Sequence, residues 1–373
     1  MLKENPEDNS HLINTLFKRH DADGPNDSKT SVFSSNQKLL QTKKERRHIA
    51  FLKVHKAASS TAQNIFLRFA LKRDLLVVLP FVPKFLYPNV ISSWETVTDK
   101  NILPVPRGRV YEILCCHAVY NKDAFERIMP ADTINIGIVR EPFEHFKSTL
   151  NYIKPREVFN LNISDPVSLF LQKSTTYQSR TKMGFVNNRM AFEFNFPADI
   201  FKTRDKTGIE TYLQKLDREF QLVIIVEMFD ESLILMRRLL NWGIKDILYI
   251  KLNAKKKLFE RITFKPGDVL LYKKWAELDY ALYHFFFRRL QVQIHAQGGT
   301  FYEELLYYRS LRQDIEIFCE KKPIPNVTYH VSNSRWSDAF EVAKEDCAYM
   351  EKKEIPFIKE IRMQQYGFYN DTI

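Results

Sequence analysis

Short apolar runs alternating with amphipathic stretches constrain this chain more than any other feature. HIAFLKV (48–54), YEILCCH (111–117), INIGIVR (134–140), LVIIVE (222–227) and ILYIKL (247–252) have the length and β-branched content of buried strands. After the first of them, TAQNIFLRFALKRD places apolar residues at 62, 65, 66, 69 and 70, a helical spacing. KDAFERIM (122–129), PFEHFKSTLNYI (142–153), GIETYLQKLDREF (208–220) and DESLILMRRLLNW (230–242) read as further helices. Apolar strands separated by helices predict an α/β fold with a largely parallel sheet covered on both faces. After 265 the pattern turns helical and predicts two or three helices closing the C-terminal side.

The remaining organisation follows from where this pattern stops. Residues 1–46 are polar and end in the basic KKERR run, which predicts a mobile lead-in. The alternating pattern assigns 47–320 to one catalytic-sized domain, and 321–373 to an extension packed on it or partly disordered. The N-terminal stretch lacks the apolar core of a signal peptide or anchor. LLVVLPFVPKFLYPNVI (75–91) is broken by three prolines and a lysine, so it does not read as a spanning helix. The chain reads as soluble.

A formal net charge of +11 favours an anionic partner: nucleic acid, a phosphorylated or sulfated ligand, or an acidic membrane surface. The basic residues are spread out, apart from runs such as KKERR (43–47) and KKK (255–257), which serve equally as solvated surface. The four cysteines show no zinc-site spacing, so no metal is expected. Cys115 and Cys116 sit inside an apolar strand. Cys319 and Cys347 flank a proline-containing connection and are disulfide candidates in an oxidising compartment. Sequons at Asn26, Asn162, Asn326 and Asn370 would be glycan acceptors in the secretory pathway.

The chemistry concentrates in FLKVHKAASST (51–61). A loop between a buried strand and a helix lets backbone N–H groups converge at the helix N-terminus, where they favour an anion. Ser59, Ser60 and Thr61 add hydroxyls and Lys56 adds a cation. The loop has no glycine, so the alanines are expected to turn it without positive φ. Taken alone, the pattern also fits an ordinary capped helix. The second element is NIGIVREPFEHFKSTLNYI (135–153). Arg140 ends a strand, Pro142 opens a helix, and Ser148 lies about two turns along it. An arginine at a strand end can fork onto a phosphate while a helix hydroxyl completes its coordination. Without the first element, Arg140 reads as a salt-bridge partner and Ser148 as a surface residue.

Together the two elements resemble the Golgi carbohydrate sulfotransferases, specifically the galactose 3-O-sulfotransferases. That family's 5′-phosphosulfate loop, FLK-x-HK-x-ASST, is similar to Phe51–Thr61, and its R-[DE]-P…S motif is similar to Arg140, Glu141, Pro142 and Ser148. ILC-x-H at Cys115–His117, EMFDESLILMRRLLNW (227–242), YIKLNA (249–254) and WAELDYALYHFF (275–286) extend the resemblance from about 48 to 290. It implies a P-loop-like fold of the sulfotransferase and nucleotide-kinase type, and the donor 3′-phosphoadenosine 5′-phosphosulfate. Carried over, Lys53, His55, Lys56, Ala57, Ala58, Ser59, Ser60 and Thr61 would bind the donor's 5′-phosphosulfate. Lys56 would be the central cation, and Arg140 and Ser148 would hold the 3′-phosphate. The acceptor would be a galactose-terminated glycolipid or glycan, with no nucleic acid partner. The resemblance further implies Golgi residence and membrane association, although the usual N-terminal anchor is missing from this sequence.

A histidine suits deprotonation of an acceptor hydroxyl near neutrality. His117 is the first choice because it lies outside the donor loop; His55 is the second and can alternatively orient the sulfuryl group. Asn187, Asn188 and Arg189 read as near-site or loop-stabilising residues, and Glu227 as a sugar contact or an ion-pair partner. Trp242 and Trp275 are candidate sugar platforms or core. Two other classes stay open: a Mg²⁺-dependent P-loop kinase-like enzyme, which the missing Walker lysine–serine pair disfavours, and a catalytically silent basic glycan-binding protein.

Overall fold

In the computed structural model of the protein, the described residues are 44–81, 88–153, 165–174, 183–250, 262, 264–321 and 327–367. Most of the polar lead-in, the KKK run and all four sequon asparagines lie outside them.

Four parallel strands form the central sheet: β1 (Ile49–Phe51), β2 (Ile113–Leu114), β3 (Ile134–Val139) and β4 (Leu222–Ile225), in the order β2-β1-β3-β4. Their side chains are buried almost throughout, as expected for a sheet covered on both faces. Gly137 in β3 is required for that cover. A Cβ there would come within 2.8 Å of the Phe194 ring, which packs directly on the strand.

Helix α1 (Ser59–Arg73) follows β1; α2 (Lys122–Ile128) leads into β3, and α3 (Pro142–Tyr152) follows it. Beyond them come α4 (Pro166–Gln172), α5 (Arg189–Glu193), α6 (Ala198–Thr203) and α7 (Lys206–Glu219), the last running into β4. Then follow α8 (Phe229–Leu240), α9 (Ile244–Ile247), α10 (Pro266–Trp275), α11 (Glu277–His295) and α12 (Thr300–Glu320). Residue types set the helix ends. Pro142 occupies the first turn of α3, where its missing N–H costs nothing, and the Glu141 carboxylate accepts from Glu144 N at 2.7 Å. An apolar cluster including Phe143, Phe146, Leu150, Phe170 and Tyr272 clamps α3 against α4 and α10, with Phe146 stacked on Tyr272 at 4.3 Å. That clamp fixes the helix carrying Ser148.

Two predicted strands differ. In YEILCCH only Ile113 and Leu114 join the ladder, because the Cys115 carbonyl is taken by Gln63 Nε2 at 2.9 Å. The run ILYIKL begins inside α9, and Leu248–Ile250 form no strand; 251 and 252 lie outside the described residues. Asp246 winds this segment by accepting from Gly243 N at 3.0 Å, and Tyr308 Oη and Arg68 take the carbonyls of Ile247 and Leu248. Side chains thereby satisfy the groups a neighbouring strand would have paired.

Residues 329–366, where the sequence carries no strong pattern, are also built. An antiparallel pair, β5 (Tyr329–Val331) and β6 (Phe340–Val342), precedes α13 (Lys344–Glu351) and α14 (Glu354–Tyr366). Both helices pack on α1: Asn64 Nδ2 donates to the Tyr349 carbonyl at 2.9 Å, and Gln365 bonds Leu75 O at 2.8 Å and Val77 N at 3.1 Å. A disulfide joins Cys319 in α12 to Cys347 in α13. Cys115 and Cys116 are buried thiols. No helix among the described residues is long and apolar enough to cross a membrane.

The disulfide closes a loop of 28 residues, for which loop-closure entropy gives about 3–4 kcal/mol. Cys347→Ser is therefore expected to lower the thermal unfolding midpoint by several degrees in non-reducing buffer. Reductant should reproduce the shift in the wild type and add nothing to the variant. An unchanged midpoint would contradict this.

Candidate functional site

In a parallel sheet, ligands bind beyond the C-terminal strand ends where the strand order reverses. Here β2 lies on one side of β1, and β3 and β4 lie on the other. The reversal falls between β1 and β3, and the two motifs leave from those two strands: Lys53–Thr61 after β1, and Arg140 after β3. They line one cavity of about 980 Å³, together with Asn89, Phe185, Tyr249 and Glu354. Lys53, His55, Lys56, Ala58, Ser59, Ser60, Thr61, His117, Arg140 and Ser148 all contribute to its wall. Ala57 lies behind it, fully buried.

The loop turns differently from the sequence expectation. Lys56 and Ala58 both adopt left-handed backbone, at φ 59° and 51°. Without glycine this costs about 1–2 kcal/mol per residue, strain of the kind stored at ligand-binding loops. Three contacts hold it in place. Ser59 Oγ donates to Val54 O at 2.6 Å, His145 Nε2 donates to His55 O at 2.8 Å, and Arg140 Nη1 donates to Lys56 O at 3.2 Å. Ser59 thus braces the loop with its hydroxyl. His145 was not singled out from sequence; it is fully buried, and burial pushes its pKa down to about 4. The residue before α1, Ala58, has no side-chain acceptor, so no side chain of that residue caps the first turn, where Thr61 N bonds Ala58 O at 3.1 Å.

Three cations converge here. The Lys56 ammonium lies 4.1 Å from the centre of the Tyr152 ring. Burial, then the nearby Arg140 and Lys53, push its pKa down to about 8 against the opposing pull of Glu354. Arg140 Nη2 lies 3.7 Å from Glu144, while its Nε is buried without a partner. Lys53 is 1% exposed and donates to Glu354 Oε1 at 2.8 Å and to His117 Nε2 at 2.7 Å. This wall suits a ligand with more than one anionic group.

The two histidines stack with ring centres 3.7 Å apart, but their partners differ. His117 Nδ1 donates to Lys53 O at 2.8 Å, so Nε2 is the atom that accepts from the Lys53 ammonium. Burial, with Lys53 and His55 adjacent, holds His117 neutral, well below the usual imidazole range. His55 Nδ1 contacts the Glu193 carboxylate, whose other oxygen accepts from His55 N at 3.0 Å. Burial raises Glu193, but Arg189 and His55 outweigh it and hold the group at about 2. An ionised carboxylate only accepts, so His55 carries a proton on Nδ1, and in the neutral ring the lone pair is on Nε2. His55, His117 and Glu193 could also converge on a metal ion. Both ring nitrogens of His117 are taken up by Lys53, and His55 Nδ1 and the Glu193 carboxylate contact each other.

The remaining candidates fall into place around this centre. Arg189 is fully buried, donates to Glu193 Oε1 at 2.9 Å and to Ser93 O at 2.6 Å, and braces the dyad. Asn188 links loop to helix, accepting from Asp279 N at 3.0 Å, a loop-stabilising role. Glu227 accepts from Glu141 N at 3.0 Å and so supports the start of α3. Trp242 stacks on Phe69 at 3.6 Å and Trp275 packs on Phe170 at 5.0 Å, so both belong to the interior. Glu193 and Glu354, like His145, are site residues that sequence reasoning missed. For Glu193 there was a usable signal, the Arg189–Glu193 spacing of an i,i+4 pair. Glu354 lies in a stretch without pattern.

A family model described as "Galactose-3-O-sulfotransferase" matches residues 20–324. Mouse "Galactose-3-O-sulfotransferase 3" is 33% identical over 65% of this chain and 57% of its own length. Human "Galactosylceramide sulfotransferase" is 30% identical over 68% of this chain and 59% of its own length, and mouse "Galactose-3-O-sulfotransferase 2" is 28% identical over 77% and 73%. The chain thus spans little more than half of the first two relatives. A match over most of the chain that takes in the loop after β1, Arg140, Ser148 and both histidines is sufficient: the chain belongs to the galactose-3-O-sulfotransferase family.

Proposed function

We propose that the protein transfers a sulfuryl group from 3′-phosphoadenosine 5′-phosphosulfate to the 3-hydroxyl of a terminal galactose in a glycolipid or glycan. The observation that carries this reading is the pair of cationic elements, Lys53–Thr61 and Arg140–Ser148, across one cavity at the sheet's reversal point. The start of α1, which has no side-chain cap at Ala58, and the partnerless Arg140 Nε suit the donor's two anionic ends. A parallel sheet with a strand-to-helix loop at its reversal point supports reading the fold as a P-loop-like sulfotransferase fold. A Golgi lumenal location fits the Cys319–Cys347 bridge, since disulfides persist in oxidising compartments.

In this reading the 5′-phosphosulfate lies on the loop and on the N-terminus of α1, and the 3′-phosphate lies on Arg140 and Ser148. The acceptor oxygen attacks sulfur in line as the bond to the bridging oxygen breaks. Charge builds on that oxygen, and Lys56 is the cation placed to meet it. The acceptor proton passes to a histidine. Sequence favours His117, but its Nε2 is occupied by Lys53. The contacts favour His55, whose Nε2 lone pair is aimed by the Glu193 bond in the manner of an oriented base.

Labelled sulfate should pass from donor to a β-galactoside without added Mg²⁺. Lys56→Ala and Arg140→Ala should each reduce kcat/KM by about 100-fold or more. If the folded protein binds neither the donor nor adenosine 3′,5′-bisphosphate, the reading fails.

His55→Gln is expected to lower kcat by about 10²–10⁴-fold, and Glu193→Gln by a smaller factor. His117→Gln should cost less than His55→Gln. The reverse order in kcat would return the base role to His117.

Lys56 has its pKa lowered to about 8, and a bound anion must raise it. Binding therefore takes up a proton above that pH. Calorimetric affinity for the bisphosphate should be level below about pH 8 and weaken above it, by up to about tenfold per unit. Lys56→Ala should abolish that slope, and a level affinity from pH 7 to 9.5 in the wild type would contradict it.

A further inference from the structure

Glu354 opens α14, outside the segment that the family model matches, yet every contact of its carboxylate is with the site. Oε1 accepts from Lys53 Nζ at 2.8 Å and from Asn89 Nδ2 at 2.5 Å, and Oε2 accepts from Ser60 Oγ at 2.6 Å. All three donors line the cavity.

Two physical facts make this contact informative. First, Lys53 is buried almost completely, and a buried ammonium needs a counter-charge. Among the described residues its neighbour Lys56 carries the same sign, and His117, which accepts from it, is neutral. The buried thiols Cys115 and Cys116 lie nearby and are pushed towards their neutral form by burial, so they add no charge. Glu354 is the carboxylate that meets the need. Second, a carboxylate facing an anionic donor weakens its binding by repulsion. A negative group held there at such a cost points to a task other than binding.

The holding is elaborate. Lys352 caps back onto Tyr349 O at 3.2 Å before α14 starts; Arg362 and Gln365 tie that helix to Pro80, Leu75 and Val77; and the Cys319–Cys347 bridge anchors the preceding helix. From Glu354 a chain of bonds runs through the Lys53 ammonium to His117 Nε2, and from His117 Nδ1 back to the Lys53 carbonyl. The His117 ring so fixed is the surface on which His55 stacks.

Resting on the sulfotransferase reading, we propose that Glu354 is a positioning residue for the transfer step. It fixes the Lys53 ammonium, and through it the His117 ring that seats His55, while weakening donor binding slightly. The C-terminal helix pair is thereby part of the active site.

The test compares wild type, Glu354→Gln, Glu354→Asp, Lys53→Met and the Lys53→Met/Glu354→Gln double variant. It measures kcat with a β-galactoside at saturating donor and Kd for adenosine 3′,5′-bisphosphate. Glu354→Gln is expected to lose about tenfold or more in kcat while bisphosphate binding stays equal or tightens; Glu354→Asp should fall between it and the wild type. In the Lys53→Met background, Glu354→Gln should change kcat by less than about twofold, because the two act as one unit. If Glu354→Gln fails to fold, Glu354→Asp and the double variant, which removes both buried charges together, carry the same contrast. A rise in kcat for Glu354→Gln would mean that the carboxylate blocks the site, and would overturn the proposal. Parallel loss of binding, kcat and thermal stability, with additive effects in the double variant, would reduce Glu354 to a structural contact. A wild type that binds no bisphosphate and transfers no sulfate would instead sink the underlying function.

Discussion

The site depends on the parallel pairing of β1 with β3. That pairing, Ile49 with Ile134 through Phe51 with Ile136, sets two strand ends side by side where the sheet's order reverses. Each end then releases a loop whose next residues are cationic, and each loop runs into a helix. The loop after β1 bends through two left-handed residues, and Arg140 from the neighbouring strand end bonds the carbonyl of one of them, Lys56. The two halves of the candidate site are therefore braced against each other.

Gathering Lys53, Lys56 and Arg140 in a partly desolvated cavity is costly, and the structure meets that cost unevenly. Lys53 is neutralised by Glu354. Arg140 lies 3.7 Å from Glu144, and Lys56 has an aromatic ring and a lowered pKa. Lys56 and Arg140, proposed for the bridging oxygen and the 3′-phosphate, have no carboxylate as close as the one Lys53 has in Glu354. A second acid, Glu193, is kept ionised by Arg189 and turned towards His55. Charge is thus separated into a cationic floor suited to the donor and a carboxylate–imidazole pair suited to the acceptor proton.

Much of this was legible in the sequence, for local reasons. β1, β3 and β4 were visible as apolar runs, and α1, α2, α3, α7 and α8 as helical spacing, because periodicity is a property of neighbours. Lys56, Arg140 and Ser148 were visible because a strand-to-helix turn carries its chemistry in contiguous residues. Glu193 and Glu354 were hidden because they reach His55 and Lys53 across 138 and 301 positions, and only the folded chain brings them together. The failure at 247–252 has the same origin. Apolar content marked a strand, but distant side chains, Arg68 and Tyr308, had already taken the carbonyls. Positive φ in a glycine-free loop was unreadable for another reason: the strain is sustained by tertiary contacts, including His145 and Arg140.

Under the proposed function, one cavity binds both ends of a two-phosphate nucleotide between the β1 and β3 loops. A crystal structure with adenosine 3′,5′-bisphosphate tests it most directly. The 5′-phosphate is expected over Ala57–Thr61 with the Lys56 ammonium in contact, and the 3′-phosphate on Arg140 and Ser148. A nucleotide bound in the opposite sense, or bound away from either loop, would contradict it.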